Sequence, residues 1–158
     1  SFVFALATIT LTIGMNLAPR FYRAVPPPLL ALACGLCSGS GLFLAATADG
    51  LAQFTAGYGV LFGLGAGVGF ILVQQGVNQT VKGASGLANG YVVSLYPLGA
   101  MLGAPLFGWA VEAWGLRALL ASLGVVVVAT CALSAALLRI AVIRMHDADA
   151  PAEDGRDA

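Results

Sequence analysis

The stretch "GYGVLFGLGAGVGF", residues 57–70, has a glycine at positions 57, 59, 63, 65, 67 and 69. Each glycine in the interior of a water-exposed helix costs about 1 kcal/mol relative to alanine. A strand is disfavoured as well, because glycine offers no side chain to pack on either face. In a membrane, by contrast, small residues let helix backbones approach closely, and this approach holds helices together. The stretch therefore predicts a helix that is closely surrounded by other membrane helices.

The composition of the chain agrees with a membrane setting. Of its 158 residues, 59% are hydrophobic and 9% are charged, whereas roughly 25% of a soluble domain is charged. The formal net charge is zero, so no basic surface points to a nucleic-acid partner. Most acidic residues lie close to the C-terminus: Asp147, Asp149, Glu153, Asp154 and Asp157. The composition therefore predicts an integral membrane protein whose first partner is the lipid bilayer.

Long apolar segments divide the chain into five predicted membrane-spanning helices. Each segment is near the roughly 20 residues that a helix needs to cross a bilayer core. We interpret them as helices because an open strand edge in lipid would leave backbone groups unpaired. The predicted fold class is therefore all-α, a polytopic transmembrane helical bundle that occupies a single domain, residues 1–144. The predicted spans are 1–18, 29–47, 51–75, 86–111 and 116–140.

Prolines and polar residues mark the predicted ends of these spans. Pro19 and the proline run at 26–28 are predicted to end the first helix, because proline cannot continue a helix. Pro97 and Pro105 fall inside the fourth span, where neighbouring membrane helices can satisfy the freed carbonyl groups. Residues 145–158 are polar and contain proline and glycine, which predicts a disordered tail.

The distribution of basic residues predicts the orientation. Lys and Arg in short loops mark the cytoplasmic side of a membrane protein, and five crossings place the two chain ends on opposite sides. One predicted side has Arg117, and the other has Arg20, Arg23, Lys82, Arg139, Arg144 and Arg156. We therefore expect a cytoplasmic C-terminus, a cytoplasmic loop that contains Arg20 and Arg23, and a location in the bacterial inner membrane.

Glycines spaced four apart predict the packing faces. Gly59, Gly63 and Gly67 form one row on the third span, and Gly65 and Gly69 form a second row beside it. Such rows let a neighbouring helix approach closely, and they either pack rigidly or permit bending and sliding. The residues predicted to act in helix packing or gating are Gly59, Gly63, Gly65, Gly67, Gly69, Pro97, Gly103, Pro105 and Gly108.

A few polar side chains inside the spans are candidates for lining a solute cavity. Polar groups within a bilayer usually face protein or water rather than lipid. Threonine can instead satisfy its hydroxyl on the backbone of its own helix, so this alternative stays open for both threonines. The candidates are Thr8, Thr12 and Asn16, four apart on the first span, Asn89 and Tyr96, two turns apart on the fourth, and Gln74 near the end of the third.

Enzymatic chemistry has no counterpart in the sequence. Cys34 and Cys37 form a C-x-x-C pair without a second pair or a nearby histidine, and we interpret them as small residues at a helix contact. The sequence has no phosphate-binding lysine motif and no nucleophile paired with a base. We therefore expect no enzyme, no catalytic residue, no cofactor and no metal site. Apart from Arg117 and Arg139 near the two ends of the last span, the predicted spans contain no Asp, Glu, Lys, Arg or His that could couple transport to protons.

Three stretches resemble parts of a major facilitator superfamily transporter. Residues 57–70 are similar to the glycine-rich fourth helix of a six-helix half of that family. The stretch "APRFYR", residues 18–23, occupies the place of the family's Asp-Arg-x-Gly-Arg loop, in which Arg20 and Arg23 match while Pro19 and Tyr22 replace the acid and the glycine. The stretch "YPLGAMLGAPLFGWAVEAWGLR", residues 96–117, is similar to the fifth helix and the turn that follows. Its matching positions are Gly103, Pro105, Gly108, Trp109, Gly115 and Arg117.

This resemblance implies a function as well as a fold. The five spans would be helices eight to twelve of twelve, as a fragment of the C-terminal half, and the first, third and fourth would line the cavity. The implied activity is secondary active transport of a small organic solute by alternating access, with a carboxylate as one candidate. The implied partners are the missing N-terminal half and the small-molecule substrate. Two alternatives remain: a non-transporting scaffold or assembly subunit that packs through its glycine faces, and a small transporter that works alone as a dimer.

Overall fold

The computed structural model of the protein describes residues 2–80 and 85–148. Within these residues the chain is almost wholly helical. Five of its helices are long and apolar enough to cross a membrane, which confirms the predicted all-α bundle and is compatible with an integral membrane protein. The elements in chain order are α1 (Phe2–Ala24), α2 (Pro27–Ala46), α3 (Leu51–Phe54), a π-helix π1 (Thr55–Phe62), α4 (Gly63–Thr80), α5 (Ser85–Trp114) and α6 (Leu116–Ala148).

The helices extend beyond the apolar segments that predict them. The expectation that Pro19 ends the first helix is wrong, because α1 continues through this proline to Ala24. Its ring removes one backbone donor, a loss that is tolerated in membrane helices. Only Val25 and Pro26 separate α1 from α2, which starts with two prolines at the positions where a missing N–H costs nothing.

The last two helices, α5 and α6, also end later than predicted. Trp114 ends α5, and Gly115 with a φ of 82° separates it from α6, a conformation that glycine adopts without strain. The last helix continues to Ala148, past the predicted end at 140. Most of the predicted disordered tail, residues 149–158, lies outside the described residues, as do residues 81–84 of the third connection.

The centre of the bundle is formed by α3, π1 and α4, which follow one another without a break over residues 51–80 and are called the central helix below. This helix packs between α1 and α2, and α2 packs in turn along α6. The helices α1 and α2 make little contact with each other, and α5 makes only light contacts with α4 and α6. Two apolar clusters of buried residues form the core: one of Ala18, Leu30, Cys34 and Val68, and one of Leu42, Ala45, Ala46 and Leu120.

Glycines allow the close packing of the central helix. Gly63 and Gly67 lie against the α1 backbone, where an added Cβ at Gly63 would come within 2.8 Å of the Ala7 carbonyl oxygen. On the α2 side, an added Cβ at Gly57 would lie 2.6 Å from the carbonyl oxygen of Gly41. Real Cβ atoms do not approach backbone atoms this closely, so larger residues at these positions would separate the helices.

One ion pair joins two connections between helices at one end of the bundle. Arg117, at the start of α6, lies 3.3 Å from the carboxylate of Asp49 and donates a 3.1 Å hydrogen bond to the Ala48 carbonyl. The connection after α2 and the connection after α5 therefore lie at the same end of the molecule. Both side chains are largely exposed, so the pair contributes little free energy.

Candidate functional site

A cavity of about 290 Å³ lies where α1, the central helix and α5 meet. Its wall is mostly apolar and includes two aromatic rings, those of Phe70 and Tyr96, which are T-shaped with centroids 6.1 Å apart. The edge of one ring meets the face of the other, a favoured arrangement for aromatic pairs. The cavity is lined by Leu11, Met15, Ala66, Phe70 and Tyr96.

The predicted polar stripe of α1 lies beside this cavity. Leu11 and Met15 line the wall, and Thr8, Thr12 and Asn16 occupy the adjoining face of the same helix, turned away from α4. All three polar residues are exposed. Each donates to a carbonyl of its own helix one turn earlier: Thr8 to Phe4 at 3.0 Å, Thr12 to Thr8 at 2.9 Å, and Asn16 to Thr12 at 2.9 Å.

These backbone bonds determine what the stripe can offer a solute. A threonine hydroxyl that donates to its helix keeps oxygen lone pairs as acceptors. Asn16 uses its amide nitrogen on the backbone, which leaves its carbonyl oxygen to accept. The stripe therefore presents neutral acceptors on the face of α1 next to the cavity, but its residues are not part of the cavity wall.

The other predicted cavity residues lie on the helices opposite α1. Tyr96 is 68% exposed and lines the cavity. Gln74 follows Phe70 by one turn on α4 and is half-buried. The backbone of Asn89 belongs to α5, but its side chain lies outside the described residues.

The predicted packing residues fall into two groups. On the central helix, Gly59, Gly63 and Gly67 face α1, while Gly65 faces α2, with Gly69 in ordinary contact with Cys34. On α5, an added Cβ at Gly99 or Gly108 would meet nothing within 4 Å in the described part of the chain, and at Gly103 it would meet only Phe107 of the same helix. Pro97 and Pro105 are exposed on α5, as is Arg20 on α1; the side chain of Arg23 lies outside the described residues.

The structure adds a contact that the sequence analysis missed. Thr10 of α1 is buried, and its hydroxyl lies 2.5 Å from the carbonyl oxygen of Gly59 in the π-helix. A second bond reaches the same π-helix from α2, where Cys37 Sγ lies 3.4 Å from the Leu61 carbonyl. Thr10, Gly14 and Ala18 are four apart, and this row of small residues could have identified the buried face of α1.

The π-helix itself has an unusual length. Most π-helices are single-turn bulges, frequent at functional sites, whereas π1 spans 8 residues. Three aromatic rings stack along one side of this segment. The ring centroid of Tyr58 lies 5.9 Å from that of Phe54 and 5.2 Å from that of Phe62. These rings pack beside the cluster that contains Leu42 and Leu120.

Comparisons of the sequence with models of known families, with characterised proteins and with solved structures find no match. In the part of the chain that the structure describes, no three His, Cys, Asp or Glu residues come together as potential metal ligands. The cavity and its neighbouring polar stripe are therefore the features of the described chain that bear on function.

Proposed function

We propose that the chain is part of a secondary active transporter that moves a small organic solute across the membrane by alternating access. The observation that carries this proposal is the cavity between α1, the central helix and α5, beside the polar stripe of Thr8, Thr12 and Asn16. Polar groups at membrane depth are maintained where they face a solute path or other protein. Because α5 makes only light contacts with α4, the α5 side of the cavity can also open and close at little cost.

The cavity wall suggests the chemistry of the solute. Its lining residues are uncharged and largely apolar, and the neighbouring stripe supplies hydrogen-bond acceptors. This arrangement suits a solute with an apolar or aromatic body and a few hydroxyl or amide groups. None of the described residues that line this cavity is cationic, so if the solute is a carboxylate, we expect the cation that pairs with it to come from outside this set.

Uptake measurements with the protein at its full natural length, reconstituted in vesicles, test this proposal. Thr12→Val and Asn16→Ala are expected to raise the KM for the transported solute several-fold, as are Tyr96→Phe and Asn89→Ala. A matched control is Thr130→Val, because Thr130 is an exposed threonine on α6 that donates to its own helix at 2.8 Å. Unchanged kinetics in all four cavity variants would contradict the assignment.

The substrate class can be narrowed in the same vesicles. Labelled aromatic carboxylates, aliphatic carboxylates and sugars should be compared at equal concentration. We expect preference for solutes with an apolar body, since packing against the Phe70 and Tyr96 rings stabilises such a body in the cavity. Preference for sugars would contradict the assigned chemistry of the cavity while leaving transport itself in place.

A membrane scaffold is the second candidate, and the open face of α5 favours it. Within the described α5 candidate span Gly90–Trp114, Ala110 is the only buried residue, as expected for a helix that awaits a partner. The two functions differ in what covers Gly99. In a variant without native cysteines, Gly99→Cys should react with a water-soluble maleimide if α5 lines an aqueous path. Protection of Gly99→Cys from the maleimide, together with a cross-link from this position to a second protein, would favour the scaffold. Val126→Cys, on the exposed face of α6, is the lipid-facing control.

We further propose a bacterial inner-membrane location with a cytoplasmic C-terminus. The six-to-one distribution of basic residues supports this orientation. Membrane-impermeant thiol labelling of Asp49→Cys and of a cysteine added after Ala158 checks it in intact cells. We expect labelling at 49 and not at the terminus, and labelling at both would contradict the five-span topology.

A further inference from the structure

A second cavity, separate from the one proposed for the solute, lies on the other side of the central helix. It measures about 420 Å³, within the range of small-molecule sites. We call it the α1/α2 cleft, because these helices form its two sides and α4 forms its floor. It is lined by Gly14, Leu17, Phe21 and Val25 from α1 and the residue that follows it, by Leu30, Ala33, Cys34 and Cys37 from α2, and by Leu64, Gly65 and Val68 from α4.

The cleft exists because its two side helices scarcely meet. Only Val25 and Pro26 connect α1 to α2, yet each of these helices packs on the central helix rather than on the other. The cleft therefore opens between α1 and α2, away from α4. In a bilayer that opening faces the acyl chains of the lipids.

The lining of the cleft determines what can occupy it. All the lining side chains are apolar or thiols, so a water molecule inside would lack the polar partners that it needs. A polar solute would lose hydrogen bonds without replacement. A hydrocarbon chain loses nothing, and it gains dispersion contacts with Phe21, Leu30 and Val68.

The charge at the mouth of the cleft complements one class of lipid. Arg20 is exposed and follows Leu17 of the cleft wall by three residues, so it lies beside the outer lip. The same end of α1 carries Arg23, whereas Asp49 lies at the opposite end of the bundle, after α2. A cation at this position attracts the phosphate of a lipid headgroup.

We infer that the α1/α2 cleft binds an anionic phospholipid. One acyl chain lies in the cleft on the floor of α4, and the headgroup phosphate lies at the membrane surface within reach of Arg20. This inference requires only that the helices cross a membrane, and it does not depend on the proposed transport activity.

Photo-cross-linking tests this site. The protein at its full natural length is reconstituted in vesicles of phosphatidylethanolamine with a minority of phosphatidylglycerol that carries a diazirine in its acyl chain. After illumination, mass spectrometry locates the adducts. In the wild-type protein we expect adducts concentrated on Phe21, Leu30 and Val68, and unlabelled phosphatidylglycerol should compete better than unlabelled phosphatidylcholine.

Two pairs of variants separate the acyl chain from the headgroup. Ala33→Leu fills the cleft and should reduce cleft adducts several-fold, whereas Ala129→Leu, on the exposed face of α6, should not. Arg20→Gln should lower the preference for phosphatidylglycerol about fivefold, the factor expected for one basic residue at a membrane surface. Arg139→Gln, exposed on α6, is the matched charge control.

Three results would overturn the inference. Adducts spread evenly over α1, α2 and α6 in the wild-type protein would mean that the cleft binds no particular lipid. If the helix faces next to the cleft were labelled and the residues of the cleft were not, another helix would cover the cleft. An unchanged headgroup preference in Arg20→Gln would remove the anionic specificity. The wild-type experiment needs no variant to fold.

Discussion

The central helix and α5 are both apolar and rich in glycine, yet their glycines have opposite surroundings. On the central helix, a methyl group added at Gly57, Gly63 or Gly67 would collide with the backbone of α1 or α2. On α5, a methyl group at Gly99 or Gly108 would enter open space. Similar compositions therefore have different roles in this fold: one set of glycines holds helices together, and the other meets no other helix of the described chain.

The same difference appears in the bonds between helices. The central helix receives side-chain hydrogen bonds from both neighbours, from Thr10 of α1 and from Cys37 of α2. The contact of α5 with the central helix includes the ring pair of Phe70 and Tyr96. The central helix packs closely against the backbones of both neighbours and is therefore held in place. Because α5 makes fewer contacts, it can move relative to the central helix.

The largest expected effect comes from adding one methyl group to each of the two helices. Gly67→Ala should lower the free energy of unfolding by about 2 kcal/mol, because the new Cβ meets the Leu11 backbone, which cannot move aside. Gly99→Ala should change it by no more than about 0.5 kcal/mol. Unfolding of the detergent-solubilised protein by SDS, followed by circular dichroism, measures both values. Equal losses in the two variants would mean that α5 is packed as tightly as the central helix.

The glycine rows show how far the sequence can be used to predict this fold. The spacing of Gly59, Gly63 and Gly67 is enough to predict a packing face, because residues four apart share one side of a helix. The same rule identifies Gly99 and Gly103 on α5, where no other helix among the described residues lies within 4 Å of an added Cβ. Spacing therefore predicts that a face is suited to packing, but the presence of a partner depends on tertiary structure.

Other features have no distinctive pattern in the sequence. Nothing in the sequence of residues 55–62 distinguishes a π-helix from an α-helix, and the bonds that its carbonyls accept from Thr10 and Cys37 come from other helices. The continuation of α1 through Pro19 likewise depends on its surroundings. For the candidate site, the polar stripe could be predicted from spacing, whereas the aromatic wall of Phe70 and Tyr96 required two helices to be placed together.

A smaller effect is expected from the hydrogen bond that joins α1 to the π-helix. Thr10→Val keeps the shape of the side chain but leaves the Gly59 carbonyl without this donor, which should cost about 1 kcal/mol. Thr8→Val is the matched control on the exposed face of α1, because Thr8 donates only within its own helix. The same SDS titration compares the two. A larger loss in Thr8→Val would show that the exposed face of α1, rather than its contact with the central helix, is the more important for stability.

The smallest expected effect concerns the ion pair that ties the start of α6, directly after α5, to the end of α2. Asp49→Asn removes one charged contact between largely exposed groups and should cost roughly 0.5 kcal/mol or less. Arg117→Gln should cost somewhat more, because Arg117 also donates to the Ala48 carbonyl. Both losses should shrink as salt is raised, since exposed charges are screened. A double-mutant cycle at low and high salt measures the coupling free energy between Asp49 and Arg117. A coupling free energy that does not change with salt would show that this end of the bundle is shielded from water, and that α5 is covered there.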